Sequence, residues 1–350
     1  MSLEFDAHPT YAALMERAKR WAPKLGLALV AVAVTVSILE VVFRFAMPAS
    51  THHLLYQRSA DPVLRVELVA GADFDFEGVA VPIAPTRVTI SEQGLRDDVY
   101  PPQKPRGVRR VLCVGDSTTF GWGVEQAETF CTRLSGHLPA GWETINLGVP
   151  GYNSTQEVRR LERFGLQFQP DVVMILFDGN DYESPIVYGG SDSWVSWLKD
   201  HSALARWVSV RIKGLGLDED DSGPGPDHKP GAPEGQGGPH RAEDSGGEDW
   251  DGRAEVLKAF ARLVTVRNEN RFSLVVLMPN NDGEPELRAL LSAASVPMVS
   301  IRPALWGPPE QLMIPMDGHP SAEGHRRIAA LIAKALVNLG LTVSGIGPTP

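Results

Sequence analysis

The 350-residue sequence predicts an α/β fold, with a central parallel sheet covered by helices on both faces and preceded by one N-terminal transmembrane helix. Three observations carry that expectation. From residue 109 onward, short apolar runs alternate with stretches of helical length and pattern. Ahead of them lies a run without any charge, Leu25 to Leu39. Finally, the apolar runs end in glycines and small polar residues, at the edge where open α/β sheets bind ligands. With 43% hydrophobic residues, the chain can bury a full core in one large domain.

As a helix, "LGLALVAVAVTVSIL" covers about 22 Å at 1.5 Å per residue, short of a bilayer core of about 30 Å. Glu40 and Arg44 interrupt the apolar residues beyond Leu39, but they are spaced i, i+4 with the acid first. On one helix face they partly neutralise each other, and near the interface they snorkel. Extension through Phe45 supplies the missing length, and Pro48 ends the helix. Arg17, Lys19, Arg20 and Lys24 precede the run, which orients the N-terminus to the cytoplasm. The long basic flank and the poor cleavage site in "FAMPAS" favour an uncleaved anchor over a signal peptide. The expectation is therefore a cytoplasmic segment over 1–24, a transmembrane helix over 25–47 and an extracytoplasmic lead-in over 48–108. The chain is placed in the inner (cytoplasmic) membrane as a single-pass protein, with the remainder periplasmic or extracellular.

The lead-in is rich in proline and short β-like runs, and Gly94-Leu95-Arg96 reads as a turn delivering the chain to the first core strand. Strands are predicted over 110–115, 143–147, 171–177, 273–278 and 297–301. Helices are predicted over 125–138, 154–166, 192–213, 252–267, 284–294 and 321–339. In the 192–213 helix Trp194, Trp197 or Leu198, Leu204 and Val208 form a stripe expected to pack onto the sheet. The stretch 218–251 holds eight glycines and five prolines and is expected to be a disordered insertion. Its eleven acidic residues against Lys229 and Arg241 give −9 of the chain's −10, leaving about −1 elsewhere. Nucleic-acid binding is not expected from such a balance.

Two cysteines, Cys113 and Cys131, exclude a disulfide-rich scaffold and a cysteine-based zinc site. Cys113 lies in an apolar strand, where a buried thiol is common. Both belong to one strand–loop–helix unit, so a bridge between them is open in an oxidising compartment.

A serine hydrolase needs a nucleophile, an imidazole base, a group that orients the base, and donors for the oxyanion. The strand ends hold a candidate for each. "VLCVGDSTTFGWGV" brings Ser117 to a strand's C-terminal edge, although Asp116-Ser117-Thr118 are also ordinary helix-capping residues. "MDGHPSAEGHRRIA" offers His319 as base, oriented by Asp317 or by a backbone carbonyl. "TINLGVPGYNSTQ" offers the Gly151 N–H, and "MILFDGNDYE" the Asn180 amide. Asp181 is read as capping the turn that holds Asn180. A metal set of Asp317, His319 and His325 is conceivable, but helical geometry from Ser321 turns His325 away. No metal and no cofactor are expected. His52-His53 reads as a solvated pair past the membrane.

These four stretches, in this order, resemble the four sequence blocks of the SGNH (GDSL-type) hydrolases. The matching residues are Gly115-Asp116-Ser117, Gly151 five residues after Asn146, Gly179-Asn180-Asp181, and Asp317 with His319. The resemblance covers roughly 91 to 340 without the insertion; one block is weak evidence and four in order are strong. It implies a flavodoxin-like three-layer sandwich over 109–345, with Ser117 as nucleophile and His319 as base. The oxyanion hole would be Ser117 N–H, Gly151 N–H and the Asn180 amide. The "GLR" turn, "TFGWGV" and the N-terminal helix further resemble a membrane-anchored bacterial branch. Asp317-Gly318-His319 is one departure: many members space the acid three residues before the histidine, and the shorter spacing is similar to that of polysaccharide O-acetyltransferases.

The expectation is a membrane-tethered extracytoplasmic serine esterase, hydrolysing O-acyl and in particular O-acetyl esters of a cell-envelope or secreted glycan. An O-acyltransferase using the same acyl-enzyme remains open, as does a non-catalytic glycan-binding scaffold. A flavin-binding flavodoxin would need a hydroxyl-rich phosphate loop in place of Asp116-Ser117. The expected partners are an acylated small molecule or glycan and the membrane, reached through the N-terminal helix.

Overall fold

A computed structural model describes residues 9–46, 54–76, 85–186, 202–205, 208, 251–279, 285–315 and 317–342. Internal contacts divide the chain into two units, residues 1–49 with 191–218, and residues 50–190 with 219–350. Trp194, Trp197, Leu198, His52, His53 and residues 218–250 lie outside the described residues.

In the first unit, helix α1 (Pro9–Ala46) starts well before residue 25. Its Lys19–Phe45 stretch of 27 residues has mean hydropathy 2.5, long and apolar enough to cross a membrane. Leu27 is 72% exposed and Leu29 69%, so the helix presents its apolar side chains outward. Arg44 Nε donates to Glu40 Oε1 at 2.8 Å, the pairing their spacing predicts. Glu40 also accepts from Ser202 Oγ at 2.7 Å, Ala203 N at 3.0 Å and Leu204 N at 3.1 Å. Ala203–Ala205 are helical, so the carboxylate meets open N–H groups of a first turn.

The second unit opens with two antiparallel hairpins, β1 (Tyr56–Arg58) with β2 (Val66–Leu68), and β3 (Asp73–Phe76) with β4 (Thr86–Thr89). Five parallel strands come next: β5 (Arg109–Val114), β6 (Trp142–Asn146), β7 (Val172–Leu176), β8 (Ser273–Met278) and β9 (Met298–Ser300). Their spatial order is β6-β5-β7-β8-β9, which places the topological switch point between β5 and β7. The helices are α2 (Ser117–Phe120), α3 (Phe130–Ser135), α4 (Ser154–Arg163), α5 (Gly252–Asn270), α6 (Pro285–Ala293), α7 (Pro309–Leu312) and α8 (Ala322–Asn338).

The strands have the predicted positions, but two helices differ. The 125–138 stretch is a 3₁₀ turn at Gln126–Glu128 followed by α3, because extended Thr129 breaks it and caps α3 by accepting from Thr132 N. The 154–166 stretch ends as α4 at Arg163 and continues as a 3₁₀ turn, Gly165–Phe168.

Side chains alternate across the sheet with a period of two. Leu112, Val114, Val173 and Ile175 face one core with α4, α5 and α6; Val111, Cys113, Val172 and Met174 face the other with α3 and α8. In the second core Cys113 and Cys131 are joined by a disulfide, with Cα atoms 6.1 Å apart, rather than left as thiols. A third cluster joins both hairpins to Phe120, Val149, Tyr152 and Ile314, residues of the loops at the sheet's C-terminal edge.

Candidate active site

Strand β5 ends at Val114 and the chain turns into α2, whose first residue is Ser117. Asp116 caps α2 by accepting from Thr118 N at 3.0 Å. It also accepts from Asn180 Nδ2 at 2.7 Å, so its capping role and its place in the site coexist. Ser117 Oγ lies 2.7 Å from His319 Nε2, across 202 residues of sequence. His319 Nδ1 lies 2.5 Å from Asp317 Oδ1, so the group on that nitrogen is the carboxylate and not a backbone carbonyl. The short Asp-Gly-His spacing closes because Gly318 takes φ 90°, a left-handed conformation that favours glycine. Ile314 N then donates to His319 O at 2.7 Å, and Gly318 N to Ile314 O at 3.3 Å.

Burial disfavours charge on His319, yet the Asp317 carboxylate, with Asp116 and Asp178, raises its pKa above the ordinary 6.5. For Asp317, burial acts upward, but hydrogen bonds from His319 and from the Trp122 indole N–H carry it below its ordinary 3.8. Burial, with Asp178 nearby, pushes Asp116 up to about 6.

Gly151 sits in a turn closed by Tyr152 N donating to Val149 O at 3.2 Å. Pro150 is its second residue and Gly151, at φ 79°, its third, which is a type II turn. Gly151 N–H meets no acceptor among the described residues. Asn180 lies in a 3₁₀ turn after β7, and its amide donates to Asp116 Oδ2 at 2.7 Å and, over a long 3.5 Å, to Tyr152 O. Asp181 holds that turn, accepting from Asp178 N at 2.6 Å and from Ser154 Oγ at 2.6 Å. His325 points into the core, where its Nδ1 accepts from Phe130 N at 3.1 Å and its ring stacks on Phe130.

Three contributors escaped sequence reasoning. Trp122 bonds Asp317 and lies tilted beside the His319 ring, with centroids 5.9 Å apart. Arg96, read only as part of a turn, is buried and donates to the carbonyls of Phe120, Gly121 and Val124, fixing the loop after Ser117. The hairpins of the lead-in reach the same edge: Tyr56 Oη donates to Pro150 O at 3.0 Å. The only sequence signal for Trp122 is an aromatic residue within a glycine-spaced loop; nothing local marks the other two.

Among solved structures, the psychrotrophic esterase EstA from a Pseudoalteromonas species is 14% identical, with 67% of this chain and all of that one covered at a TM-score of 0.41. An α/β hydrolase from the metagenome of Lake Arreo, Spain, is 16% identical, with 65% and 94% covered at 0.39. An acetyl xylan esterase is 14% identical, with 65% and 99% covered at 0.37. No curated protein matches the chain in sequence. Residues 113–225 match the model of the GDSL-like Lipase/Acylhydrolase family. That match starts inside the strand that delivers Ser117 and runs past Asn180, so over these residues the chain is similar to the GDSL-like lipase/acylhydrolase family.

Proposed function

We propose that this protein is a membrane-tethered, extracytoplasmic serine esterase that removes O-acyl groups, O-acetyl above all, from a cell-envelope or secreted glycan. The observation that carries the reading is the hydrogen-bonded line from Ser117 Oγ through His319 to Asp317. A serine hydroxyl is a weak nucleophile until a base takes its proton, and a neutral imidazole 2.7 Å away is placed for that transfer. Ser117 attacks the ester carbonyl while His319 accepts the proton, and the anionic Asp317 stabilises the imidazolium. Ser117 N–H, Gly151 N–H and the Asn180 amide receive the charge on the oxyanion. His319 then protonates the departing sugar hydroxyl, and water attacks the acyl-enzyme with His319 as base again.

The basic flank ahead of the apolar helix and the Cys113–Cys131 bridge support a site outside the cytoplasm. A tethered esterase there meets acylated envelope glycans as its nearest ester-bearing polymers. The test is turnover of p-nitrophenyl acetate by the full chain in detergent beside Ser117→Ala and His319→Ala. Each variant should lose at least about 1,000-fold in kcat while keeping its thermal midpoint. An alanine variant as active as wild type would remove the assignment.

A further inference from the structure

We propose that Tyr56, on the first hairpin, is a positioning residue for the oxyanion hole, acting on Gly151 through the peptide bond that Gly151 shares with Pro150. The inference rests on the esterase reading. A peptide unit is planar and trans, so its carbonyl and its N–H point in opposite directions and turn together. Tyr56 Oη donates to Pro150 O at 3.0 Å, and the N–H on the far side of that same plane belongs to Gly151. Fixing the carbonyl therefore fixes the donor.

The turn around this peptide makes such a restraint matter. Type I and type II turns differ mainly by a flip of the central peptide, and a Pro-Gly pair is compatible with both. Gly151 at φ 79° is the type II form, with the Pro150 carbonyl toward the tyrosine. Loss of that hydrogen bond leaves the flip opposed only by local preferences, and a flipped peptide would aim a carbonyl where the N–H had pointed. Donation to the carbonyl also polarises the peptide and strengthens Gly151 N–H as a donor.

Tyr56 is itself firmly held. Its ring packs against the cluster formed by the hairpins and the site loops. Tyr152, the last residue of the turn, bonds back to the hairpin through Val66 O, and Gln156 Nε2 donates to Leu64 O at 2.7 Å. Burial raises the Tyr56 pKa well above its ordinary 10, so the phenol keeps its proton across the working range.

Tyr56→Phe in the full chain is the test, because it deletes one oxygen and keeps the ring. With p-nitrophenyl acetate, kcat should fall roughly 10-fold, less than the roughly 100-fold or more typical when a donor is removed outright. KM should stay within about twofold, the split expected of an interaction made in the transition state. Inactivation by a p-nitrophenyl phosphonate, whose phosphoryl oxygen occupies the hole, should slow by a similar factor. The thermal midpoint should hold. Unchanged kcat and unchanged phosphonylation would overturn the role of Tyr56 and leave the esterase reading intact. A fall in kcat matched by a lowered midpoint would make Tyr56 merely structural, and so also overturn it. Full turnover in Ser117→Ala would overturn the esterase reading and this inference with it.

Discussion

Two side chains act on Asp317, and they make separable predictions. His319 must be neutral to accept a proton, and its pKa is raised, so activity should be lost as pH falls through a value above 6.5. Asp317→Asn removes the partner that raises it. The acid limb of kcat/KM should then move to lower pH while the rate at pH 8 falls by about 1,000-fold or more; a limb that stays put would deny the coupling. Trp122→Phe keeps an aromatic ring beside His319 and removes the N–H on Asp317. A fall in kcat of about tenfold is expected from the looser carboxylate, measurable at pH 8 with the midpoint unchanged. At this scale the grouping of Ser117, Asp317 and His319 was legible in the sequence because Ser117 lies in a short polar block at a strand end and the other two in a polar block that leads into the final helix. Trp122 was not, since its partner lies 195 positions away and an indole in a loop is ordinarily a packing residue.

The sheet elements were legible because a strand buried on both faces reads as a continuous apolar run, as Val172–Leu176 does. The helix around Thr129 was less so: the cap is a tertiary choice, made where α3 must dock with Cys131 facing Cys113. That bridge ties β5, the strand leading to Ser117, to α3 across 18 residues of sequence. Chain-entropy reasoning gives it about 3 kcal/mol. Reduction should lower the thermal midpoint by roughly 5–10 °C, and equal midpoints with and without dithiothreitol would show that the bond adds nothing. The hairpins were visible only as β-like runs, since their burial depends on loops that lie far along the chain.

For the molecule as a whole, pH also acts through a buried group outside the Ser117–His319–Asp317 line. Burial, and then neighbouring positive groups, push His325 down to about 3. The unfolded chain therefore binds a proton between about pH 6.5 and 3 that the folded one refuses, and His325 costs stability as pH falls through that window. Asp97 and Asp116, both raised to about 6, act in the opposite direction below pH 6. His325→Asn retains an acceptor for Phe130 N without titrating. The wild-type midpoint should drop further between pH 7 and 5 than that of the variant, and parallel pH curves would exclude the effect. The apolar helix sets a separate test: alkaline carbonate should leave the protein in the membrane pellet, and release into the supernatant would contradict a span.

The third cluster also bears on how the molecule is made. Leu55, Leu64, Val66, Leu68, Phe74, Phe76, Val88 and Ile90 all lie in or beside the hairpins, whereas Ile314, one of their partners, is close to the chain's far end. Synthesis runs from the N-terminus, so these eight side chains emerge before Phe120, Val149 and Tyr152, and the cluster is complete only once Ile314 has followed. A nascent chain in that state is sticky. Its yield in a heterologous host should therefore depend on holdase chaperones and on slow growth temperature more than on the stability of the finished fold.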